Sequence, residues 1–379
     1  MNIVIDENIA YAEEAFSAFG NVKLLHGRKI TNDQLKDADA LIVRSITKVN
    51  KELLDNTHVK FVGTATIGTD HIDLDYLKEK KINFSDAKGC NADAVAEYIF
   101  TSILNLAKEN NIQVRGKTLG IVGVGNIGSR IARLAKAVGM DVLKNDPPLK
   151  RLTGSDEYVF LDNIYDADII TLHVPLNSSG IDNTVHLFNN ENLNKLKDNT
   201  ILLNASRGQV IDNSALSELI KPKKLNVVLD VWENEPDINV NLLSLVKIGT
   251  PHIAGYSFEG KLNGTVMIYN ALCEAFNEKP LWVPDIPNLE NNSIDAVMKA
   301  YSEEFLFEIF NSIYDIRRDD KETRMIENQP AEQRPVYFDR LRKNYPLRRE
   351  FTNYKISLKS SNKELERILK AFRFQLIYK

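Results

Sequence analysis

The first 95 residues alternate between two hydrophobic periods. Short apolar runs at Asn2–Asp6, Val22–Leu25, Ala40–Arg44, Val59–Gly63 and Ile82–Ser85 have the length and content of buried strands. Between them, apolar residues three and four apart predict helices over Ile9–Phe19, near Asp33–Lys36 and over Leu74–Lys81. Such alternation predicts a small doubly wound parallel sheet. From Asn91 the pattern ADAVAEYIFTSILNLAK predicts one long helix leading into a second region. There the strand-like runs are Leu119–Val122, Met140–Lys144, Ala167–Leu172, Thr200–Asn204, Val227–Val231 and Val246–Gly249. Helical stretches such as Asn189–Leu196 and Ser214–Ile220 separate several of them. Ser257 to Asn277 reads as a long helix that returns the chain to the first lobe. Past Leu281 the connector PLWVPDIPNLENN opens a third region. In it, a helix is expected from Ser293 to about Ile316, a strand over Tyr354–Leu358 and a short helix from about Asn362.

Lys117 to Pro148 organises this layout. The run Leu119–Val122 passes into Gly123, Gly125 and Gly128 in G-x-G-x-x-G spacing, then into a helix with apolar Ile127, Ile131, Leu134, Ala135 and Val138. Gly123 would allow the tight turn, Gly125 the approach of a pyrophosphate, and Gly128 close packing of helix on strand. Asn126 and Ile127 stand at the helix start, where backbone N–H groups and the helix dipole favour phosphate. The next strand ends at Asp146, about 18 residues past Gly128, where a carboxylate accepts ribose hydroxyls and repels a 2′-phosphate. Glycines, helix, strand and acid in this order predict an NAD site. The expected fold class is α/β: a Rossmann-type NAD domain (96–255) inserted in a flavodoxin-like split substrate domain (1–95 and 256–281), followed by a C-terminal α+β dimerisation domain (282–379).

Further polar residues follow strands, where ligands bind in open parallel sheets. In the first lobe Arg44, Ser45 and Thr66 are candidates for gripping a small anionic substrate; Ser45 and Thr66 would equally suit turn or helix caps. In the second, NASRGQVID presents Arg207, LDVWENEP presents Asp230 and Glu235, and GTPHIAGYS presents His252. Oxidising a 2-hydroxy acid needs a cation for the carboxylate and C2 oxygen, a base for the hydroxyl proton, and a carboxylate that orients the base. Arg207, His252 and Glu235 fit those roles in turn. Glu235 beside the imidazole would favour the imidazolium formed during alcohol oxidation. The other five histidines, His26, His58, His71, His173 and His186, have no comparable setting.

Composition narrows the partners. Hydrophobic content of 43% and charged content of 26% are those of an ordinary globular protein. A net charge of −4 gives no general attraction to nucleic acid or acidic membranes. The arginines of the last hundred residues are interleaved with acids, as on a solvated or subunit-interface surface. Cys90 and Cys273 form no motif, no apolar stretch is long enough to span a bilayer, and no signal peptide is apparent, so a cytoplasmic protein is expected. No metal is implied, because hydride transfer needs none and no ligand cluster appears.

The segments VRSITKVN, FVGTATIGTDHID, GCNADAVAEY, GVGNIGSR, DVWENEP and PHIAGYSFEGK together resemble the D-isomer-specific 2-hydroxyacid dehydrogenases. The resemblance runs over essentially the whole chain, and narrows to a member with a phosphorylated 2-hydroxy acid substrate and a C-terminal dimerisation domain. It implies that Arg207, Glu235 and His252 are catalytic, that Asp146, Asp230, Gly255 and the Val174 backbone contact NAD, and that Ser45, Thr66 and Tyr256 contact substrate. Another 2-hydroxyacid dehydrogenase, such as one acting on phosphoglycerate, and an NAD-sensing interaction protein remain alternatives. For the homodimer, Val297, Tyr301, Phe305, Ile309 and Ile313, with Leu306 and Phe310 alongside, form an apolar face expected to meet a second copy. Truncation after about Pro284 is then expected to leave a monomer that still holds NAD.

Overall fold

A computed structural model describes residues 1–296, 302–358 and 362–378. The chain divides into two compact units, Met1–Asn91 with Ser257–Asn288, and Ala92–Tyr256 with Leu289–Lys379.

The first unit is built on five parallel strands, β1 (Asn2–Asp6), β2 (Asn21–Leu25), β3 (Ala40–Val43), β4 (Phe61–Thr64) and β5 (Asn83–Asp86), in the order β2-β1-β3-β4-β5. That is the flavodoxin-like order. β1, β3 and β4 are buried almost throughout because both faces are covered. One face carries Leu35, Leu53, Leu54 and Leu77; the other packs Phe16 with Ile268, Tyr269 and Leu272 of the helix Phe258–Ala275. A Cβ at Gly63 would lie 2.5 Å from Ile268 Cγ2, so the missing side chain lets this helix seat on the sheet. The helix expected over Ile9–Phe19 is shorter: Ala12–Phe16 is α-helical, and Ser17–Phe19 is a 3-10 turn ended by Gly20 at φ +139°.

The second unit holds six parallel strands, β6 (Thr118–Val122), β7 (Asp141–Asn145), β8 (Ile169–Leu172), β9 (Ile201–Asn204), β10 (Asn226–Leu229) and β11 (Ile248–Gly249). Their order is β11-β10-β9-β8-β6-β7, with a single parallel bridge from Lys144 to Tyr158 beyond β7. The direction of strand succession reverses at β6, which places a ligand crevice beyond the carboxyl ends of β6 and β8. Two apolar layers cover the faces of the sheet. One is centred on the helices Ala92–Asn110 and Asn126–Val138, the other on Leu193, Leu216, Trp232 and Leu242.

The C-terminal residues build onto this same unit. A third parallel sheet, β12 (Ser293–Ala296), β13 (Lys355–Leu358) and β14 (Gln375–Tyr378), runs in that order. The helix expected from Ser293 to about Ile316 is thereby corrected. Its start is a strand paired with β13, and the helix proper is Glu303–Ile313, capped by the Ser302 side chain. Helices Ile316–Arg324 and Arg334–Lys343, and strand β14, were not foreseen. The apolar face expected to meet a second copy is covered by the chain itself. Phe305, Leu306, Ile309 and Phe310 are buried in one core with Phe100 and Ile103 of helix Ala92–Asn110, and Ile313 packs against it. Val297 and Tyr301 lie outside the described residues.

Candidate active site

The glycine loop after β6 has the shape a dinucleotide needs. Gly123 sits at φ +89°, and a Cβ there would lie 2.6 Å from the His173 carbonyl oxygen. A Cβ on Gly128 would lie 2.0 Å from the Gly123 carbonyl, so only glycine lets the helix Asn126–Val138 begin this close to the strand. At Gly125 a Cβ would meet nothing within 4 Å. Among the described residues no atom requires that glycine, and the open space above it is what a pyrophosphate would occupy. Asn126 is exposed at the helix start, and Ile127 packs on the core. Asp146 caps the helix Pro147–Thr153 through Leu149 N–H (3.0 Å) and accepts Val124 N–H (2.8 Å). It therefore ties β7 to the glycine loop, and two carboxylate oxygens retain lone pairs for ribose hydroxyls. Across the crevice, Val174 follows β8 beside Gly123. His173 keeps its ring on Thr171 Oγ1 (2.8 Å), and burial pushes its pKa down to about 3. These residues fit NAD.

Arg207, Glu235 and His252 follow β9, β10 and β11, three adjacent strands. The loops after β9 and β10 come into contact because Gly208 has no side chain: a Cβ there would lie 2.0 Å from the Trp232 carbonyl carbon. Arg207 Nη1 donates to the Ser206 carbonyl at 2.7 Å, and Asn204 Nδ2 donates to the Arg207 carbonyl at 2.9 Å. Glu235 Oε2 meets His252 Nδ1 at 2.7 Å, while Oε1 accepts Trp232 N–H at 2.8 Å. The bond at Nδ1 leaves Nε2 as the nitrogen free to exchange a proton with a substrate. Burial opposes ionisation of Glu235, but the His252 charge and hydrogen bond, the Trp232 N–H and the Arg342 charge outweigh it and hold the carboxyl below its usual range.

His252 lies at φ +58°, a left-handed conformation that must be enforced. Asp230 enforces it. Its carbonyl accepts His252 N–H at 2.7 Å, and its buried carboxylate accepts Thr250 Oγ1, Ile253 N–H and Ala254 N–H at 2.7 to 2.9 Å. Thr250 is bonded in turn to Tyr98 of the long helix at 2.7 Å. The anchoring role of Asp230, and Tyr98 and Thr250 altogether, escaped the sequence reading. The signal was weak: an apolar helix face shows a tyrosine without showing what its hydroxyl meets. Gly255 and Tyr256 complete the His252 loop, and the Tyr256 ring meets Tyr345 edge-on at 5.8 Å between centroids.

In the first unit, Arg44 Nε is paired with the buried Asp6 at 3.2 Å, Ser45 is exposed, and Thr66 Oγ1 is bonded to Thr64 Oγ1 at 2.7 Å. Thr64 also meets His71 Nε2 at 3.1 Å, so Thr66 belongs to a small polar network after β4.

Comparison with known proteins places this geometry. Residues 94–254 match the family model described as D-isomer specific 2-hydroxyacid dehydrogenase, NAD binding domain; residues 286–371 match a domain of unknown function (DUF3410). The chain is 46% identical over 360 residues to an erythronate-4-phosphate dehydrogenase of Proteus mirabilis, covering 94% of each chain. It is 44% identical over 377 residues to one from Photorhabdus laumondii, covering 99% of each. Among solved structures it is similar to the D-lactate dehydrogenase of Aquifex aeolicus complexed with NAD and lactic acid (TM-score 0.61, 29% identity), covering 73% of this chain and 95% of that one. That enzyme is matched nearly end to end while more than a quarter of this chain is left over. The chain belongs to the erythronate-4-phosphate dehydrogenases, within the D-isomer-specific 2-hydroxyacid dehydrogenases.

Proposed function

We propose that this protein oxidises 4-phospho-D-erythronate at C2 to 2-oxo-3-hydroxy-4-phosphobutanoate with NAD, a step of pyridoxal 5′-phosphate synthesis. The observation that carries the reading is the Glu235–His252 pair at 2.7 Å, bridging the ends of β10 and β11 beside β9, which presents Arg207, in the sheet that bears the glycine cradle. NAD, when bound, supplies the hydride acceptor. His252 takes the C2 hydroxyl proton on Nε2, and Glu235 fixes the ring and stabilises the imidazolium that results. Arg207 offers a planar fork to the substrate carboxylate and polarises the C2 oxygen. Gly123, Gly125, Asn126, Ile127 and Gly128 form the pyrophosphate cradle, Asp146 takes the ribose, and the Val174 backbone, Asp230 and Gly255 line the nicotinamide side. Arg44, Ser45, Thr66 and Tyr256 are assigned to the substrate.

A cytoplasmic location agrees with two free cysteines and with the lack, among the described residues, of any helix long and apolar enough to cross a membrane. A homodimer through the C-terminal domain is supported by exposed Val336 and Leu347 and by the exposed edge strand β14 with Ile377 and Tyr378. Sedimentation at micromolar concentration tests it: a clean monomer would remove the dimer. The reaction itself is tested by NADH formation against a panel of 2-hydroxy acids. The expected result is strong preference for 4-phospho-D-erythronate over D-lactate and 3-phosphoglycerate; a reversed preference would reassign the substrate.

A further inference from the structure

The loop that carries His252 is held from two sides. From within the sheet it hangs on Asp230, as described. From the other side it is held by the C-terminal module, the part of the chain that the lactate dehydrogenase match leaves over. Arg348 Nη2 donates to the Ala254 carbonyl at 2.5 Å. The Arg342 guanidinium stands 5.9 Å over the Tyr256 ring, shares a side-chain hydrogen bond with Tyr256, and faces Glu235. We infer that Arg342 is a positioning residue for the reaction, fixing Tyr256 and the Glu235 carboxylate that orients His252. The module would then complete the active site rather than only join subunits.

Three physical points support this. First, Glu235 is largely withdrawn from water, and a carboxylate there needs partners to stay ionised. His252, the Trp232 N–H and Arg342 favour its charged form, and of these Arg342 is the permanent cation. Second, the carboxylates facing Arg342 include Glu235, which belongs to the site, and Asp339. Third, Arg342 Nε is buried without a hydrogen-bond partner. A buried unpaired donor costs stability, so an apolar residue of similar length would serve folding better. Arg342 sits in the last turn of helix Arg334–Lys343, where a cation is favoured, but that holds equally for its neighbours Arg340 and Lys343.

The inference rests on the proposed reaction and is tested in the full-length protein with Arg342→Gln and Arg342→Lys. Glutamine removes the charge; lysine keeps it but loses the planar fork. For Arg342→Gln we expect kcat with 4-phospho-D-erythronate to fall about tenfold or more, while the Kd for NADH stays within about twofold. Loss of the cation makes the Glu235–His252 pair easier to protonate, so the acid limb of kcat/KM, which follows protonation of the base, moves to higher pH. Arg342→Lys should return that limb toward the wild-type position. An unmoved limb in Arg342→Gln, or NADH binding and turnover lost in equal proportion, would overturn the role. Should Arg342→Gln fail to fold, Arg342→Met replaces it under the same criteria. If the wild-type protein forms NADH with other 2-hydroxy acids but not with this one, the substrate is wrong while Arg342 is judged on the substrate it does use. With no turnover of any, the inference falls with the reaction.

Discussion

Arg207 is held by its own loop, through Ser206 and Asn204, before any substrate arrives. Its fork is therefore pre-set, and the chemistry should depend on the shape of the head group more than on its charge. Arg207→Lys is expected to lower kcat/KM by about 10² or more and to leave the Kd for NADH within about twofold, because the fork serves the substrate carboxylate and the C2 oxygen and not the cofactor. Unchanged kinetics would take Arg207 out of the mechanism. His173, on the crevice side of β8, carries a pH prediction. Its folded pKa of about 3 lies below the unfolded value of about 6.5, so the unfolded chain takes up the proton first. A depressed value contributes stability that is present above the unfolded pKa and is lost as pH falls toward the folded one. At most about 1.4 kcal/mol per pH unit comes from this one group across that window. His173→Gln should flatten this part of the acid limb in denaturant titrations; an unchanged slope would mean that the imidazole protonates in the folded state. These residues were legible to different degrees. Histidine, glutamate and arginine after successive strands could be read directly, whereas Arg342 could not, because a helix with four basic residues does not show which one turns toward Tyr256.

At the scale of elements, the glycine loop separates folding from binding. Gly125→Ala places a methyl in open space, so the melting temperature should match the wild type within a degree or so while NADH binding weakens about tenfold or more. Gly128→Ala instead drives a methyl into the Gly123 carbonyl and should destabilise the unit by about 2 kcal/mol or more, whether or not the cofactor is added. Thermal melts with and without NADH distinguish the two; equal loss of stability in both would refute the assignment of Gly125 to the cofactor. Most strands of both large sheets were legible because they are apolar runs ended by polar loop residues. Ser293–Ala296 was not, because SIDAV continues into the three- and four-residue spacing of EEFLFEIF. What makes it a strand is pairing with β13, some 60 residues away. β14 is a four-residue run at the end of the chain, and that same partner defines it.

For the whole molecule, the C-terminal module and the NAD-binding sheet share one core. Phe100 of the long helix meets Phe372 edge-on at 5.1 Å, Phe310 meets Phe351 at 4.6 Å, and the buried Glu97 accepts the Phe351 N–H at 2.9 Å. Truncation after Pro284 would uncover Phe100 and Ile103 and leave Glu97 without that partner. The expected product is an aggregating chain, in place of the NAD-holding monomer that the sequence pattern had suggested. Soluble expression and NADH binding by the truncated chain would contradict this. Within the intact protein, Phe310→Ala should cost about 3–5 kcal/mol, since the ring is fully buried among aromatic neighbours. The two α/β units were legible from alternation alone, but the attachment of the last ninety residues was not, because an apolar helix face looks the same whether its cover is another chain or its own.

In the proposed reaction His252, Glu235 and Arg207 direct hydride transfer from C2 of a phosphorylated 2-hydroxy acid to NAD. Turnover of 4-phospho-D-erythronate deuterated at C2 shows where that hydrogen goes. One deuterium is expected on the nicotinamide ring of the NADH formed, and none released to water. NADH without label, or tight NADH binding with no transfer from this or any other 2-hydroxy acid, would contradict it.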